Sequence, residues 1–179
     1  MAFEKNQVIV VNEQDEWLGV MEKMAAHRGG VLHRAISVFI LNDKNELLLQ
    51  QRAIGKYHSG GLWTNTCCSH PLPAESTLAA AHRRLQEEMG FDTELKPVFT
   101  LRYKADVGNG LTENEYDHIY TGRYNDAPVL NPEEALAFQY LPLENIASWL
   151  KEKPHEFTAW FHLAFPMFTD HLQQAGTFA

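Results

Sequence analysis

Three short stretches of the chain carry residue types that do chemistry. The first is TNTCCSHP, Thr64 to Pro71, which holds both cysteines side by side and a histidine two residues past the second. Thiols and imidazoles serve as proton carriers, nucleophiles and metal ligands, so the pair reads as structural, as a metal clip or as a reactive centre. The second is ENE, Glu113 to Glu115. Its two carboxylates are two residues apart, so on a strand they face the same side and can reach one ion. The third is ESTLAAAHRRLQEEMGF, Glu75 to Phe91, where Glu87 and Glu88 stand together near the end of a helical pattern. Hard oxygen donors of this kind suit divalent cations.

Composition limits the setting of this chemistry. The chain has 179 residues, 45% of them apolar and 21% charged, which suits one globular domain over 1–179 with a real core. A net charge of −8 argues against a nucleic-acid or anionic-membrane surface as the main partner. An anion would have to be bound through a local cluster of cations or a metal. Adjacent cysteines make a poor disulfide framework, since bridges stabilise by closing longer loops. No basic-then-apolar start marks a signal peptide, and no apolar run approaches the roughly 18 residues needed to cross a bilayer. The expectation is a cytoplasmic protein with two free thiols.

The elements that must position these groups follow from periodicity. VIVVNEQDEWLGVM reads as two strands around a polar turn, and MEKMAAHRGG as a short helix or turn closed by Gly29 and Gly30. HRAISVFILNDKNELLLQQR reads as a hairpin around NDKN. A long loop, AIGKYHSGGLWTNTCCSHPLP, comes next, and loops of that length are usually functional. The third stretch is the clearest helix, with Ser76 or Glu75 to cap it and Gly90 to stop it. KPVFTLRYKAD and ENEYDHIYTGRY read as strands around VGNG, and AFQYLPL as another strand. Two helices follow, LENIASWLKEK and TAWFHLAFPMFTDHLQQ, the second expected to kink or divide at Pro166. The pattern implies a mixed sheet flanked by helices, an α/β or α+β domain.

The helical stretch and the residues before it, 69–91, resemble the Nudix box, G-x5-E-x7-R-E-U-x-E-E-x-G-U. Glu75, Arg83, Leu85, Glu87, Glu88, Gly90 and Phe91 fall in place. Ser69 replaces the first glycine, and Arg84 replaces the glutamate of the RE pair, a metal ligand in typical hydrolases. The resemblance implies a Nudix fold and impaired pyrophosphate hydrolysis. The chain also resembles, over most of its length, the type 1 isopentenyl-diphosphate delta-isomerases. The family's TN-x-x-C-x-HP stands here as TNTCCSHP, its E-N-E as Glu113 to Glu115, and its early EK…AAH as MEKMAAH before the histidine of LHRA.

That resemblance implies interconversion of isopentenyl and dimethylallyl diphosphate through a tertiary carbocation. It implies that Cys68 and Glu115 are the acid/base pair, with Tyr103 beside Glu115 and Trp160 facing the cation; Cys67 is a bystander. His27, His33, His70, Glu113 and Glu115 are the implied ligands of a Mn2+ or Zn2+ site. Glu88 is the implied carboxylate for Mg2+ on the substrate diphosphate, and Lys23, Arg52, Lys56 and Arg84 are the cations that bind it. His58, His82, His118, His155, His162 and His171 are read as ordinary surface or core residues. The implied partner is a small allylic or homoallylic diphosphate, with no nucleic acid or membrane, and the chain as monomer or homodimer. A Nudix hydrolase of another diphosphate would leave Cys68, ENE and Arg84 without purpose. A non-enzymatic metal-binding domain predicts bound metal and no turnover.

Overall fold

The computed structural model describes residues 6–176. β1 (Gln7–Val11) and β2 (Trp17–Glu22) form the first hairpin, and α1 (Lys23–Gly29) follows directly. Glu22 caps α1 by accepting from the Met24 and Ala25 amides, and Gly30 ends it at φ 58, in the left-handed region. β3 (His33–Leu41) and β4 (Leu47–Arg52) come next, then two very short strands, β5 (Trp63–Thr64) and β6 (Cys67–Ser69). After α2 (Thr77–Met89), the long β7 (Lys96–Asp106) and β8 (Thr112–Arg123) form a second hairpin. β9 (Ala135–Leu141), α3 (Leu143–Glu152), a 3-10 turn at Pro154–Glu156 and α4 (Phe161–Gln174) complete the chain.

β3 is the central strand. It pairs in parallel with β8, from His33↔Glu115 to Leu41↔Arg123, and antiparallel with β6, where Ser37 faces Cys68. β4 pairs mainly with β9. The expected hairpin of β3 and β4 is therefore only a turn: the two strands share one register pair, Leu41↔Leu47, and then splay. Side chains from the expected loop fill the wedge. Thr66 Oγ1 accepts from the Ile40 amide (3.0 Å) and donates to the Leu48 carbonyl (2.6 Å). Asn65 Nδ2 donates to the Val38 carbonyl, and Gln50 Nε2 to that of Thr66. Buried backbone groups freed by the splay are thus paired again.

Strand alternation sorts the core into two layers. Phe39, Leu47 and Leu49 pack with Phe161, Phe165 and Phe168 of α4. Ile36, Val38, Ile40 and Leu48 pack on the other face with Ala81, Leu85 and Met89 of α2. The result is the mixed sheet between helices that the sequence implies. α4 runs through Pro166 without being divided. Pro166 is on its exposed side, so the carbonyl that loses an amide partner can be solvated. Among the described residues, no helix is long and apolar enough to cross a membrane.

Ser76 caps α2 through the Ala79 amide, and Gly90 ends it at φ 74. A Cβ on Gly90 would lie 2.3 Å from the Val129 carbonyl oxygen. Gly90→Ala therefore combines left-handed strain with a backbone clash, and urea unfolding should show a loss of about 1–3 kcal/mol.

Candidate active site

Four side chains from four parts of the chain converge on one buried point. His27 comes from α1, His33 from the start of β3, His70 from just beyond β6 and Glu115 from β8, and one donor atom of each lies within 4.8 Å of the others. The rings are oriented from behind. His27 Nδ1 contacts the Lys23 carbonyl at 2.7 Å and His33 Nδ1 the Val31 carbonyl at 2.8 Å. Both Nδ1 atoms therefore carry the proton, and both Nε2 lone pairs face inward, the arrangement metal-binding histidines use.

The inward atoms are otherwise hard to satisfy. His27 Nε2 is buried with no hydrogen-bond partner among the described residues. His33 Nε2 and His70 Nε2 face each other at 3.2 Å, and Glu115 Oε1 lies 2.9 Å from His70 Nε2. Burial holds His27 down to about 4 and His70 down to about 3, so both stay neutral at pH 7. Burial pushes His33 down too, but the Glu115 carboxylate and the Val31 carbonyl outweigh it and its pKa rises. Glu115 would rise with burial, yet His33 and His70 hold it well below the usual carboxylate range. Imidazole nitrogens around an ionised carboxylate are a donor set that fits a divalent cation.

Glu113 and Tyr103 lie beside this group. β7 and β8 place Tyr103 opposite Glu115, and the Tyr103 hydroxyl sits 2.5 Å from Glu115 Oε2 and 2.8 Å from Glu113 Oε2. Burial and the neighbouring carboxylates raise the Tyr103 pKa, so the phenol keeps its proton. Burial and the Glu115 charge raise that of Glu113. Glu113 also turns toward a residue from the β4–β5 loop, His58, whose Nε2 lies 3.0 Å from Glu113 Oε1. The reading of His58 as an ordinary residue is thus corrected: it is buried in the site.

Cys68, Glu115, Tyr103 and Trp160 line one inner chamber of about 30 Å3. Register explains why Cys68, not Cys67, is there. Cys68 pairs with Ser37 and faces the chamber, whereas Cys67 pairs with Val38 and enters the core against α2. Burial pushes the Cys68 thiol up, opposed by Arg52, whose Nη1 lies 3.7 Å from the sulfur. The thiol is protonated at neutral pH. Trp160 precedes α4 rather than lying within it, and the Arg52 guanidinium sits 5.2 Å from its ring centre.

An outer cavity of about 530 Å3 adjoins the chamber, with Arg52, Tyr57, Cys68, Ser69 and His70 common to both walls. All four expected anion-binding cations, Lys23, Arg52, Lys56 and Arg84, line it. Burial, then Lys56 and Arg84, lower the Lys23 pKa. Glu134 bridges two of them, pairing with Lys56 and, at 2.9 Å, with Arg84. Arg84 also holds Glu87 (2.6 Å) and Glu88 (2.7 Å). Glu88 does not line the cavity; it lies buried behind Arg84, with Gln50 Nε2 3.0 Å from its second oxygen. Glu75 has a structural part: both its oxygens accept from Arg83 at 2.7 Å, and Oε2 also accepts from the Leu72 amide.

The structure thus brings together every residue expected from sequence, with Glu113 offset toward His58 and Glu88 set back from the cavity. Sequence reasoning missed His58, Tyr57, Gln50 and Glu134. None stands in a spacing that announces it; their loop and strand positions become a site only through folding.

A helix that carries Arg83, Glu87 and Glu88, tied through Arg83 to Glu75 in the loop before it and packed on this mixed sheet, defines the class. The sequence matches the NUDIX domain over residues 31–161, and the fold is similar to that of DR0079 from Deinococcus radiodurans. That likeness has a TM-score of 0.69 at 17% identity, covering 82% of this chain and 89% of the other. Two curated relatives are much nearer in sequence. One, the isopentenyl-diphosphate Delta-isomerase of Pectobacterium atrosepticum, is 52% identical over 93% of each chain. Another, isopentenyl-diphosphate Delta-isomerase 2 of Aromatoleum aromaticum, is 49% identical over 87% of this chain and 82% of its own. The chain belongs to the type 1 isopentenyl-diphosphate Delta-isomerases of the Nudix superfamily.

The Glu75–Arg83 pair carries a pH signature. Burial alone would raise the Glu75 carboxyl, but the Arg83 and Leu72 hydrogen bonds outweigh it and hold it below the usual 4.5. A lowered folded pKa gives stability that is present above about 4.5 and is lost as pH falls through the folded value. Glu75→Gln should therefore be less stable than the parent by about 1–2 kcal/mol at pH 7. Urea unfolding across pH 2–7 should show that difference closing on the acid side.

Proposed function

We propose that the two compartments divide the substrate of the family's isomerisation between them. The diphosphate of isopentenyl diphosphate sits in the outer cavity on Lys23, Arg52, Lys56 and Arg84, and the reacting carbons lie at the wall the two compartments share, against the inner chamber. The observation that carries this reading is the shared wall: a cation-lined cavity opens at Cys68 and His70 onto a chamber holding Cys68, Glu115, Tyr103 and Trp160.

Moving the double bond requires one proton on the terminal carbon and the loss of another from the methylene on the far side of the branched carbon. No electrons are gained or lost, and the tertiary cation between the two steps must not meet water. Cys68, protonated in its buried setting, and Glu115, ionised in its own, exchange these protons with the substrate. Tyr103, which stays protonated, hydrogen-bonds Glu115 and orients the carboxylate. The buried Trp160 indole faces the cation, an interaction worth about 2 kcal/mol when desolvated, and helps to exclude water. When bound, Mn2+ or Zn2+ on His27, His33, His70, Glu113 and Glu115 would fix and polarise Glu115, and Mg2+ at Glu88 would neutralise diphosphate charge. Arg84 replaces a hydrolase carboxylate and is turned toward the cavity, which favours binding the diphosphate over cleaving it.

Incubation with isopentenyl diphosphate and Mg2+ in heavy water should give deuterated dimethylallyl diphosphate. Phosphate release without rearranged product would sink the assignment. Cys68→Ala and Glu115→Gln should each lower turnover by about 10²–10⁴-fold, the range for a lost acid/base group. Cys67→Ala should turn over substrate like the parent, because Cys67 faces the α2 core. Equal rates in all three variants would refute the roles. Exhaustive chelation should abolish activity, with Mg2+ and Mn2+ restoring it. Mn2+ at 100 times its dissociation constant should also stabilise the metal-free protein by about 2.7 kcal/mol in urea unfolding.

A further inference from the structure

Four histidines, His27, His33, His58 and His70, reach the buried site, whereas the family resemblance accounts for three. His58 sits in the loop between β4 and β5 and is 2% exposed. Its backbone is pinned by Arg52 Nη2, which donates to the His58 carbonyl at 3.2 Å. The next residue, Ser59, adopts φ 52, a left-handed conformation that costs a non-glycine residue about 1–3 kcal/mol. Ser59 Oγ meets His58 Nδ1 at 3.1 Å. Tyr57 and Trp160 pack against the ring at centroid distances of 4.4 and 5.9 Å. The imidazole is clamped with only its Nε2 edge free.

That edge points at a problem. Nε2 is buried and makes no aligned hydrogen bond, although Glu113 Oε1 lies 3.0 Å away. The Ser59 hydroxyl can accept from Nδ1, and in that tautomer Nε2 offers a lone pair toward a carboxylate oxygen. His27 Nε2, the other unpartnered buried imidazole nitrogen among the described residues, belongs to the same group: His27, His58 and Glu113 place donor atoms within 4.8 Å of one another. Acceptors that converge in a dry site need a cation between them.

The two groups of donors share His27. One imidazole nitrogen has one lone pair and cannot serve two ions, so an ion held by His27 takes donors from both groups only if they close around it as one centre. We infer that His58 is a ligand of the same divalent ion as His27, His33, His70, Glu113 and Glu115. This rests on the proposal that the histidine–glutamate cluster holds an ion. A shell of six nitrogen and oxygen donors suits Mn2+, Fe2+ or Co2+ better than Zn2+, whose structural sites are nearly always four-coordinate.

Cobalt substitution counts the ligands without relying on activity. Co2+ shifts the ring N–H proton of each ligated histidine far outside the ordinary proton spectrum, and those signals vanish in heavy water. The wild-type chain with one Co2+ should show a signal for each of His27, His33, His58 and His70. His58→Gln should lose one of them and bind Co2+ on the order of tenfold more weakly. A wild-type spectrum with three such signals, unchanged in His58→Gln, overturns the inference and leaves the proposed centre intact. Two Co2+ per chain, one of them lost in His58→Gln, overturns the single centre. No bound Co2+ at all removes both this inference and the metal site it rests on. If His58→Gln does not fold, the wild-type count decides alone.

Discussion

The parallel pairing of β3 with β8 is the constraint on which the site depends. It joins segments about 80 residues apart in sequence and sets His33 directly against Glu115. β7 then brings Tyr103 to Glu115 from one side, and β6 brings Cys68 and His70 along the other edge of β3. Side chains alternate strictly along a strand, so register decides everything here. A slip of one residue in β6 would turn Cys67 into the chamber and bury Cys68 against α2. The placement of the vicinal pair is set by hydrogen-bond register, not by any difference between the two thiols.

The outer cavity shows how the Nudix helix has been given another task. In the motif, Arg83 and Glu75 remain a structural clamp, with a forked pair of contacts that ties the loop before α2 to the helix. One residue further on, Arg84 stands among Glu87, Glu88 and Glu134. These carboxylates do for the free protein what phosphate oxygens would do in the complex: they keep gathered cations from repelling one another. Lys23, its pKa lowered first by burial and then by Lys56 and Arg84, stands on the same wall without a salt bridge among the described residues, which leaves the cavity attractive to an anion.

Much of this was legible before folding, and the reasons differ by element. α2 has a capping serine, an apolar face and a glycine stop, and all three are used at Ser76, along the Ala81–Leu85–Met89 face and at Gly90. The residues proposed as acid/base groups and metal ligands were legible through motif resemblance, because spacing such as ENE survives in sequence. The β3–β4 hairpin was over-read: alternation shows that two runs are strands but not that they stay paired. β5 and β6 were hidden because two or three residues carry no period. His58 was hidden for a related reason. A loop histidine has no spacing to report, and its role comes from a strained turn that only the fold displays. Pro166 misled because its cost depends on which face of α4 it occupies.

The TN dipeptide before the cysteines accounts for the precision of the chamber. Asn65 is wholly buried, and its amide nitrogen donates to the carbonyls of Val38 and Cys67. Its oxygen accepts from Thr64 Oγ1 at 2.8 Å and from the Trp160 indole at 3.2 Å. Thr64 Oγ1 meets Thr158 Oγ1 at 3.0 Å, and the Thr158 amide donates to the Trp63 carbonyl. One buried asparagine therefore fixes the central strand, the cysteine strand and the aromatic lid before α4 with respect to each other. Each of its polar atoms is used, so moving any partner would leave a buried group unpaired, at a cost of about 1–3 kcal/mol. Trp160 lies far from Cys68 in sequence, yet its place over the chamber is set by a residue three positions before that cysteine. The Trp160 indole and the Cys68 thiol are held to one frame, and Asn65 is where the frame is joined.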